Sequence, residues 1–478
     1  MLRSGFRTIV AAALVTLAVA AAGTAGAETL PFHPTATHGV FLHVSDVHLN
    51  PFDPIADKTL LPRLVKAPIS VWESILQSPK NERFAQYGED SNFPLFMSML
   101  SAAQGVHYDY VLNTGDNLAH DFREKYLAAG GKQNRYQEFV IKTLRFVNLM
   151  LTKSFPGAPL IYGLGNNDAV CGDYKVAPAS RMLAQAGREL SIVAGNRKAL
   201  KSFAAGGYYL VPHPTVPRHD MIVLNSVFWS AKYDNECNTK VGNPGAAELA
   251  WLRTTLNREK RAKRTATLVM HIPPGIDSFK SLKHTCTGGI TTFWHDADTR
   301  RFLALVGRGK TVLRVSYAGH THRDNFRVLS GRNGMPILTT RITPSVSPVY
   351  HNNPAFTVLL YDRTDAAVKD YATFYLANLA TAGPTVPPAW KLEYTFAKTY
   401  NATGYTPASI AALAKSLRSD ASVRKTFLQH YAVEASSSPI KAGDWMSFAC
   451  AQTAMTRAAF EACRCPNGSP PPAPTAPH

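Results

Sequence analysis

The chain has 478 residues, 45% of them apolar and 18% charged, with a formal net charge of +18 at pH 7. That is enough for a large core, as one big domain with a smaller companion or two of ordinary size, and it excludes collagen, coiled coil and global disorder. The positive balance favours anionic partners such as phosphates, anionic lipid surfaces or polyanions, through the long-range field alone.

The opening MLRSGFRTIVAAALVTLAVAAAGTAGAETL sets Arg3 and Arg7 before an alanine-rich apolar run and closes on the small-x-small signal Ala25-Gly26-Ala27. This pattern predicts a secretory signal peptide over 1–27 and a secreted or periplasmic protein. The run is too weakly hydrophobic for a membrane anchor, and no later segment approaches a span.

From Gly39 to about residue 375, short apolar runs alternate with helical patterns. The runs are GVFLHVSD, DYVLNTGD, PLIYGLGN, DMIVLNSV, ATLVMHIP and VLRVSYAGH, with amphipathic stretches such as NRYQEFVIKTLRFVNLMLTK between them. Alternation of this kind predicts an α/β layered domain over 28–385 with helices outside a sheet. The basic run REKRAKR, Arg258 to Arg264, ends a helical pattern and reads as its solvated end. From Trp390 onward the pattern reads as helical, giving a cysteine-containing helical extension over 386–465. Within it Thr406 is placed to cap a helix and Pro407 to sit in its first turn. The tail 466–478 is proline-rich and reads as disordered. In an exported chain the six cysteines, Cys171, Cys237, Cys286, Cys450, Cys463 and Cys465, are disulfide candidates. The clustering of the last three predicts at least one local staple, with the pairing open.

Five of the apolar runs end in side chains that bind metal. VSDVHLN supplies Asp46 and His48, NTGDNLAHD supplies Asp116, GLGNND supplies Asn166, VMHIPPG supplies His271, and YAGHTHRD supplies His320 and His322. Loops at the carboxyl ends of strands are where open α/β sheets keep ligands. Carboxylate, imidazole and amide oxygen together suit two divalent cations, zinc first with iron or manganese as alternatives, since a hard magnesium site would not recruit three or four imidazoles. Asp-x-His and His-x-His are expected to work because alternate residues of a strand share a side.

The order Asp-x-His, Gly-Asp, Gly-Asn, His, Gly-His-x-His resembles the calcineurin-like metallophosphoesterases. GDNLAHD, MHIPPG, LNSVFWS, AGHTHRDNFRV and TPSVSPVYHNNPAF narrow the resemblance to the acid sphingomyelinase-like phosphodiesterase branch, and WKLEYTFAKTYNATGYTPASI with the late cysteines resembles its C-terminal extension. The resemblance implies a four-layer fold, a central β-sandwich flanked by helices. It implies that Asp46, His48 and His322 hold one cation, that Asn166, His271 and His320 hold the other, and that Asp116 bridges them. The expected activity is hydrolysis of a phosphoester by in-line attack of a metal-bridging hydroxide. Most of the superfamily has histidine where this chain has Asn167, which hydrogen-bonds phosphate oxygens but supplies no proton near neutral pH. His120, four residues past Asp116, is the candidate acid for the leaving group. The Gly-Asn-Asn-Asp variant also occurs in related endopolyphosphatases, so polyphosphate or a nucleotide anhydride is the alternative substrate to a lipid head group or other small phosphodiester. An inactive metal- or lipid-binding scaffold is the alternative from another class, and no specific nucleic acid partner is expected. Arg123, Tyr317 and Tyr350 are further candidates for phosphate contacts.

Overall fold

The structure is a computed structural model that describes residues 30–54, 57–77, 82–189, 195–234, 242–281, 289–435 and 444–465. The signal segment expected over 1–27, the tail over 466–478, Cys237 and Cys286 lie outside the described residues. In chain order the strands are β1 (His38–Val44), β2 (Tyr110–Asn113), β3 (Leu160–Tyr162), β4 (Tyr209–Pro212), β5 (His219–Val223), β6 (Thr265–Val269), β7 (Leu313–Ala318), β8 (Asn325–Ser330), β9 (Pro336–Ile342), β10 (Ala355–Asp362), β11 (Val368–Leu376) and β12 (Trp390–Thr395). All six apolar runs read from the sequence are among them.

Two six-stranded sheets result, ordered β12-β11-β10-β1-β2-β3 and β4-β5-β6-β7-β9-β8. In the first, β1, β2 and β3 run parallel, and β10, β11 and β12 add antiparallel. In the second, β5, β6, β7 and β9 run parallel, with β4 and β8 antiparallel at the edges. Parallel strands need both faces covered, which is why their sequences are nearly continuous in apolar residues.

The inner faces pack on one another. Phe41 and His43 of β1 meet Tyr317 of β7 at ring distances of 5.4 and 5.6 Å. Tyr209 on β4 reaches β3, donating its hydroxyl to Tyr162 O at 2.8 Å and accepting the Tyr162 amide at 3.1 Å. A fully buried ion pair also joins the sheets. Arg341 on β9 donates to both carboxylate oxygens of Asp324, at 2.7 and 2.9 Å, and Asp324 accepts the Thr373 hydroxyl of β11 at 2.7 Å. Outside, helix Tyr136–Ser154 packs against β3, helix Pro244–Arg261 against β6 and helix Asp296–Arg308 against β8 and β9. The architecture is therefore α/β, two central sheets flanked by helices.

The extension departs from its reading at one place. Trp390–Thr395 is not helical but a strand, paired antiparallel with β11 at the sheet edge. Trp-Lys-Leu-Glu-Tyr-Thr alternates apolar and polar residues, the period of a strand with one face covered. Helices follow, among them Pro407–Ser419, where Thr406 accepts the Ser409 amide in a capping box and Pro407 occupies the first turn. This helix packs against β8 and β9, and the next is Ala421–Tyr431. Cys450 and Cys463 form a disulfide between helices Trp445–Ala451 and Arg457–Arg464. Cys171 and Cys465 are disulfide-bonded as well. Arg258, Lys260 and Arg261 occupy the exposed last turn of their helix, where positive charge complements the helix dipole. Among the described residues no helix is long and apolar enough to cross a membrane.

Candidate metal centre

The loops that leave β1, β2, β3, β6 and β7 meet at one end of the sandwich. They bring together Asp46, His48, Asp116, Asn166, His271, His320 and His322. The pairing rule expected for Asp-x-His and His-x-His is corrected here: β1 ends at Val44 and β7 at Ala318, so neither pair lies on a strand. Instead the backbone turns left-handed, with φ of 51° at Asp46, 44° at His48, 55° at Asp116, 72° at His320 and 57° at His322. Each such residue costs on the order of 1–3 kcal/mol unless its surroundings hold it, and such residues gather at functional sites. The holding contacts are present: the Asp46 and His48 amides donate to the carbonyls of Gly115 and Asp116, both at 2.9 Å. Two glycines admit the crowding. A Cβ on Gly319 would lie 1.9 Å from Ser45 Oγ and 2.6 Å from Asp46 Oδ2, and one on Gly165 would lie 2.0 Å from Asp116 Oδ1.

The donor atoms face one another. His48 Nε2 is 3.1 Å from His322 Nε2, and His322 Nε2 is 3.3 Å from Asp46 Oδ1. His271 Nε2 is 3.1 Å from Asn166 Oδ1 and 3.2 Å from Asp116 Oδ2, which is also 3.6 Å from His48 Nε2. Ligand atoms of Asp46, His48 and Asp116, and those of Asp116, His271 and His320, lie within 4.8 Å of one another. His48 Nδ1 is 2.8 Å from the Leu118 carbonyl and His271 Nδ1 is 2.9 Å from that of Thr114. A carbonyl only accepts, so each ring carries its hydrogen on Nδ1 and aims the Nε2 lone pair at the centre. Asn166 is oriented the same way, its Nδ2 donating to Asp173 Oδ1 at 2.6 Å so that Oδ1 faces inward. Buried imidazole lone pairs and carboxylates that converge in this way fit divalent cations.

The carboxylates set the electrostatics of the centre. Burial alone would depress His48, but hydrogen bonding to Asp46 and the charges of Asp116, Asp90 and Asp46 raise it to about 9. Burial is likewise outweighed at His271 by Asp116, Asp46 and Asp168, giving about 9. His320 and His322 are pushed well below the ordinary imidazole value, first by burial and then by repulsion from His271 and His48 respectively. Asp116 is held well below the carboxylate range because His271 and His48 overcome its burial.

Two further residues read from the sequence adjoin the centre. The His120 ring stacks on that of His48, centroids 4.2 Å apart. Its Nδ1 is 2.7 Å from Asp90 Oδ1 and its Nε2 is 3.2 Å from the Tyr350 hydroxyl. Asn167 donates its backbone N–H to Asp116 Oδ1 at 2.8 Å and its amide Nδ2 to Asp116 Oδ2 at 2.9 Å. Tyr350 therefore stands at the site. Tyr317 does not, being packed inside the sandwich against Phe41, and Arg123 is engaged by Gln133 at 3.1 Å.

Several residues at the site escaped sequence reasoning. Asp90, 1% exposed at its side chain, holds His120 through both its ring and its backbone amide and also binds Lys125. Tyr174 places its hydroxyl 3.4 Å from His320 Nε2, and Lys232 lies over the Tyr174 ring at 4.7 Å. Asp168 is fully buried, accepting the amides of Asn117 and Leu118 on one oxygen and Gly165 N–H and Tyr162 O–H on the other. It ties the loop after β2 to the loop after β3. An acid following Gly-Asn-Asn was the available signal for Asp168; Asp90, lying in Gly-Glu-Asp-Ser-Asn, carried none.

Residues 39–324 match the family model of the Calcineurin-like phosphoesterase domain, and residues 335–463 match that of the Acid sphingomyelin phosphodiesterase C-terminal region. The second match thus spans β9 to β12 as well as the helices that follow. The chain is 24% identical over 451 residues to Acid sphingomyelinase-like phosphodiesterase 3b of Homo sapiens, covering 91% of this chain and 92% of that one. It is 26% identical over 418 residues to Cyclic GMP-AMP phosphodiesterase SMPDL3A of Rattus norvegicus, covering 85% and 86%. Sphingomyelin phosphodiesterase B of Dictyostelium discoideum is 25% identical over 409 residues, covering 82% and 59%.

Proposed function

The chain belongs to the calcineurin-like phosphoesterases, a family of metal-dependent hydrolases, and from that premise we propose that it is an exported phosphodiesterase working with two divalent cations, zinc suiting the donor set best. The observation that carries the reading is Asp116, whose Oδ2 lies within 3.6 Å of His48 Nε2 and 3.2 Å of His271 Nε2. One carboxylate in reach of both groups supports a shared ligand, with Asp46, His48 and His322 on one cation and Asn166, His271 and His320 on the other. When bound, two such cations neutralise phosphate charge and lower the pKa of water toward ~7. Export is supported by the leader pattern over 1–27 and by the disulfides, which persist in oxidising compartments.

The chain's own residues supply the rest. Asn167 fixes Asp116 through two hydrogen bonds and sets a neutral amide beside the centre, where it orients phosphate oxygens. His120 delivers a proton from Nε2 to the departing oxygen, and Asp90, an acceptor only, holds the Nδ1 proton and stabilises the imidazolium. Asp90 is itself kept ionised: burial would raise it, but the bond from His120 and the charges of His48, His120 and Lys125 hold it low. Tyr350 marks the side of His120 from which the leaving group departs.

Relatives named for cyclic GMP-AMP and for sphingomyelin support a phosphodiester substrate. A second reading, a nucleotide anhydride or polyphosphate, is favoured by Lys232, which stands beside Tyr174 on the His320 side of the centre, and by the basic surface. The test is a substrate panel of phosphocholine esters, dinucleotides, nucleoside triphosphates and polyphosphate, run on protein of measured metal content. D116A should lose metal and all turnover together. A D116A chain that keeps both cations and its rate defeats the reading.

A further inference from the structure

A second set of metal-binding side chains lies in the C-terminal part, on elements that contribute nothing to the centre described above. Glu393 is on β12, His430 is the penultimate residue of helix Ala421–Tyr431, and Glu434 follows four residues after it. Their ligand atoms all lie within 4.8 Å of one another. Glu393 is the telling member. Its side chain is 0% exposed; Oε1 is 3.2 Å from His430 Nδ1, and Oε2 is buried with no hydrogen-bond partner among the described residues. Buried carboxylate oxygens are rarely left so, because the lost hydration is not replaced. Among the described residues no spare countercharge stands by: Arg341 acts on Glu393 but is engaged by both oxygens of Asp324, and Asp324 and Glu434 repel it. The His430 ring is fixed by stacking on Tyr394, centroids 4.0 Å apart. Glu434 is half-buried and oriented by Gln429 Nε2 at 2.6 Å from its Oε1.

We propose that Glu393, His430 and Glu434 form a third cation site, which takes a divalent ion of the zinc class and fastens edge strand β12 to the end of helix Ala421–Tyr431. Two carboxylates and one imidazole with a fourth position open are zinc donors. Tetrahedral ligands at zinc bond lengths stand about 3.3 Å apart. The 3.2 Å between Glu393 Oε1 and His430 Nδ1 matches that spacing, as do the 3.1 and 3.2 Å separations around His271.

The alternative is a plain hydrogen bond from His430 to Glu393, and zinc counting separates the two. The full chain is equilibrated with Zn²⁺, stripped of loose metal on a chelating resin and analysed by inductively coupled plasma mass spectrometry, with turnover of a generic phosphodiester measured on the same samples. Wild type should hold one equivalent more than E434Q and one more than E393Q, while both variants keep turnover within about twofold of wild type. Added to D116A, E434Q should again remove one equivalent. Equal zinc in wild type, E434Q and E393Q overturns the site, as does an equivalent lost only where turnover is lost with it. The comparison of wild type with E434Q is read whatever D116A holds, so failure of this site is distinguished from failure of the two-cation reading.

Discussion

Asp90→Asn isolates the contribution of a buried charge to leaving-group protonation. Asp90 receives the His120 ring at 2.7 Å and the His120 amide at 3.1 Å, and its side chain is 1% exposed. The amide of asparagine keeps the shape and an acceptor oxygen but removes the charge. A charge-assisted hydrogen bond is roughly twice as strong as a neutral one, so the substitution takes about 1–1.5 kcal/mol of support from the protonated His120 ring. At 1.36 kcal/mol per tenfold, that is about 5–12-fold in rate where protonation limits departure. Steady-state kinetics on two esters read it out. An alkyl phosphodiester should slow about tenfold and a nitrophenyl phosphodiester, whose leaving group departs without a proton, less than about twofold. Zinc content should be unchanged. Lys125→Met removes the other partner of Asp90 without touching His120, and should leave the ratio of the two rates as in wild type. Equal slowing on both esters, or loss of bound zinc in D90N, refutes the assignment of His120 as the acid.

Gly319→Ala drives a methyl group into Ser45 and Asp46 at 1.9 and 2.6 Å, so zinc affinity should fall at least about tenfold by competitive chelator titration, an overpacking cost of about 1–3 kcal/mol. Gly307→Ala, where nothing lies within 4 Å, is the matched control and should change nothing. His213, pushed down to about 4 by burial, accepts the amides of Thr215 and Val216 on Nδ1 and so must stay neutral in the folded chain. The unfolded chain takes up its proton near pH 6.5 and the folded one does not, so stability from this group is intact above 6.5 and is lost as pH falls toward 4. Between pH 7.5 and 5 the loss is about 2 kcal/mol, and urea unfolding should show it abolished in H213N, whose Oδ1 accepts the same amides. Asp324→Asn leaves the buried Arg341 guanidinium without its carboxylate and should cost about 3–5 kcal/mol in urea unfolding; a loss below about 1 kcal/mol contradicts the role given to the pair.

Much of the fold was legible because parallel strands buried on both faces appear as unbroken apolar runs, and five of those six runs are strands that carry the centre. The edge strands carried less signal. β12 was mistaken for helix because its alternation spans only Trp390 to Thr395 beside a strongly helical stretch. The seven side chains that converge were legible by residue type at the ends of runs. The reason they converge was not, since it lies in left-handed backbone at five of them, which no residue type announces. Asp90 and Asp173 were invisible because orienting a neighbouring side chain by a hydrogen bond leaves no spacing rule in the sequence: 30 residues separate Asp90 from His120. The carboxylate at Glu393 stayed hidden for a related reason, its partner His430 lying 37 residues away on another element.

Crystals of the zinc-loaded chain, measured on either side of the zinc absorption edge, test the two-cation centre most directly. The account predicts two anomalous peaks about 4 Å apart with the Asp116 carboxylate touching both, Asn166 on one and Asp46 on the other. A single peak, or two that leave Asp116 bound to neither, contradicts it.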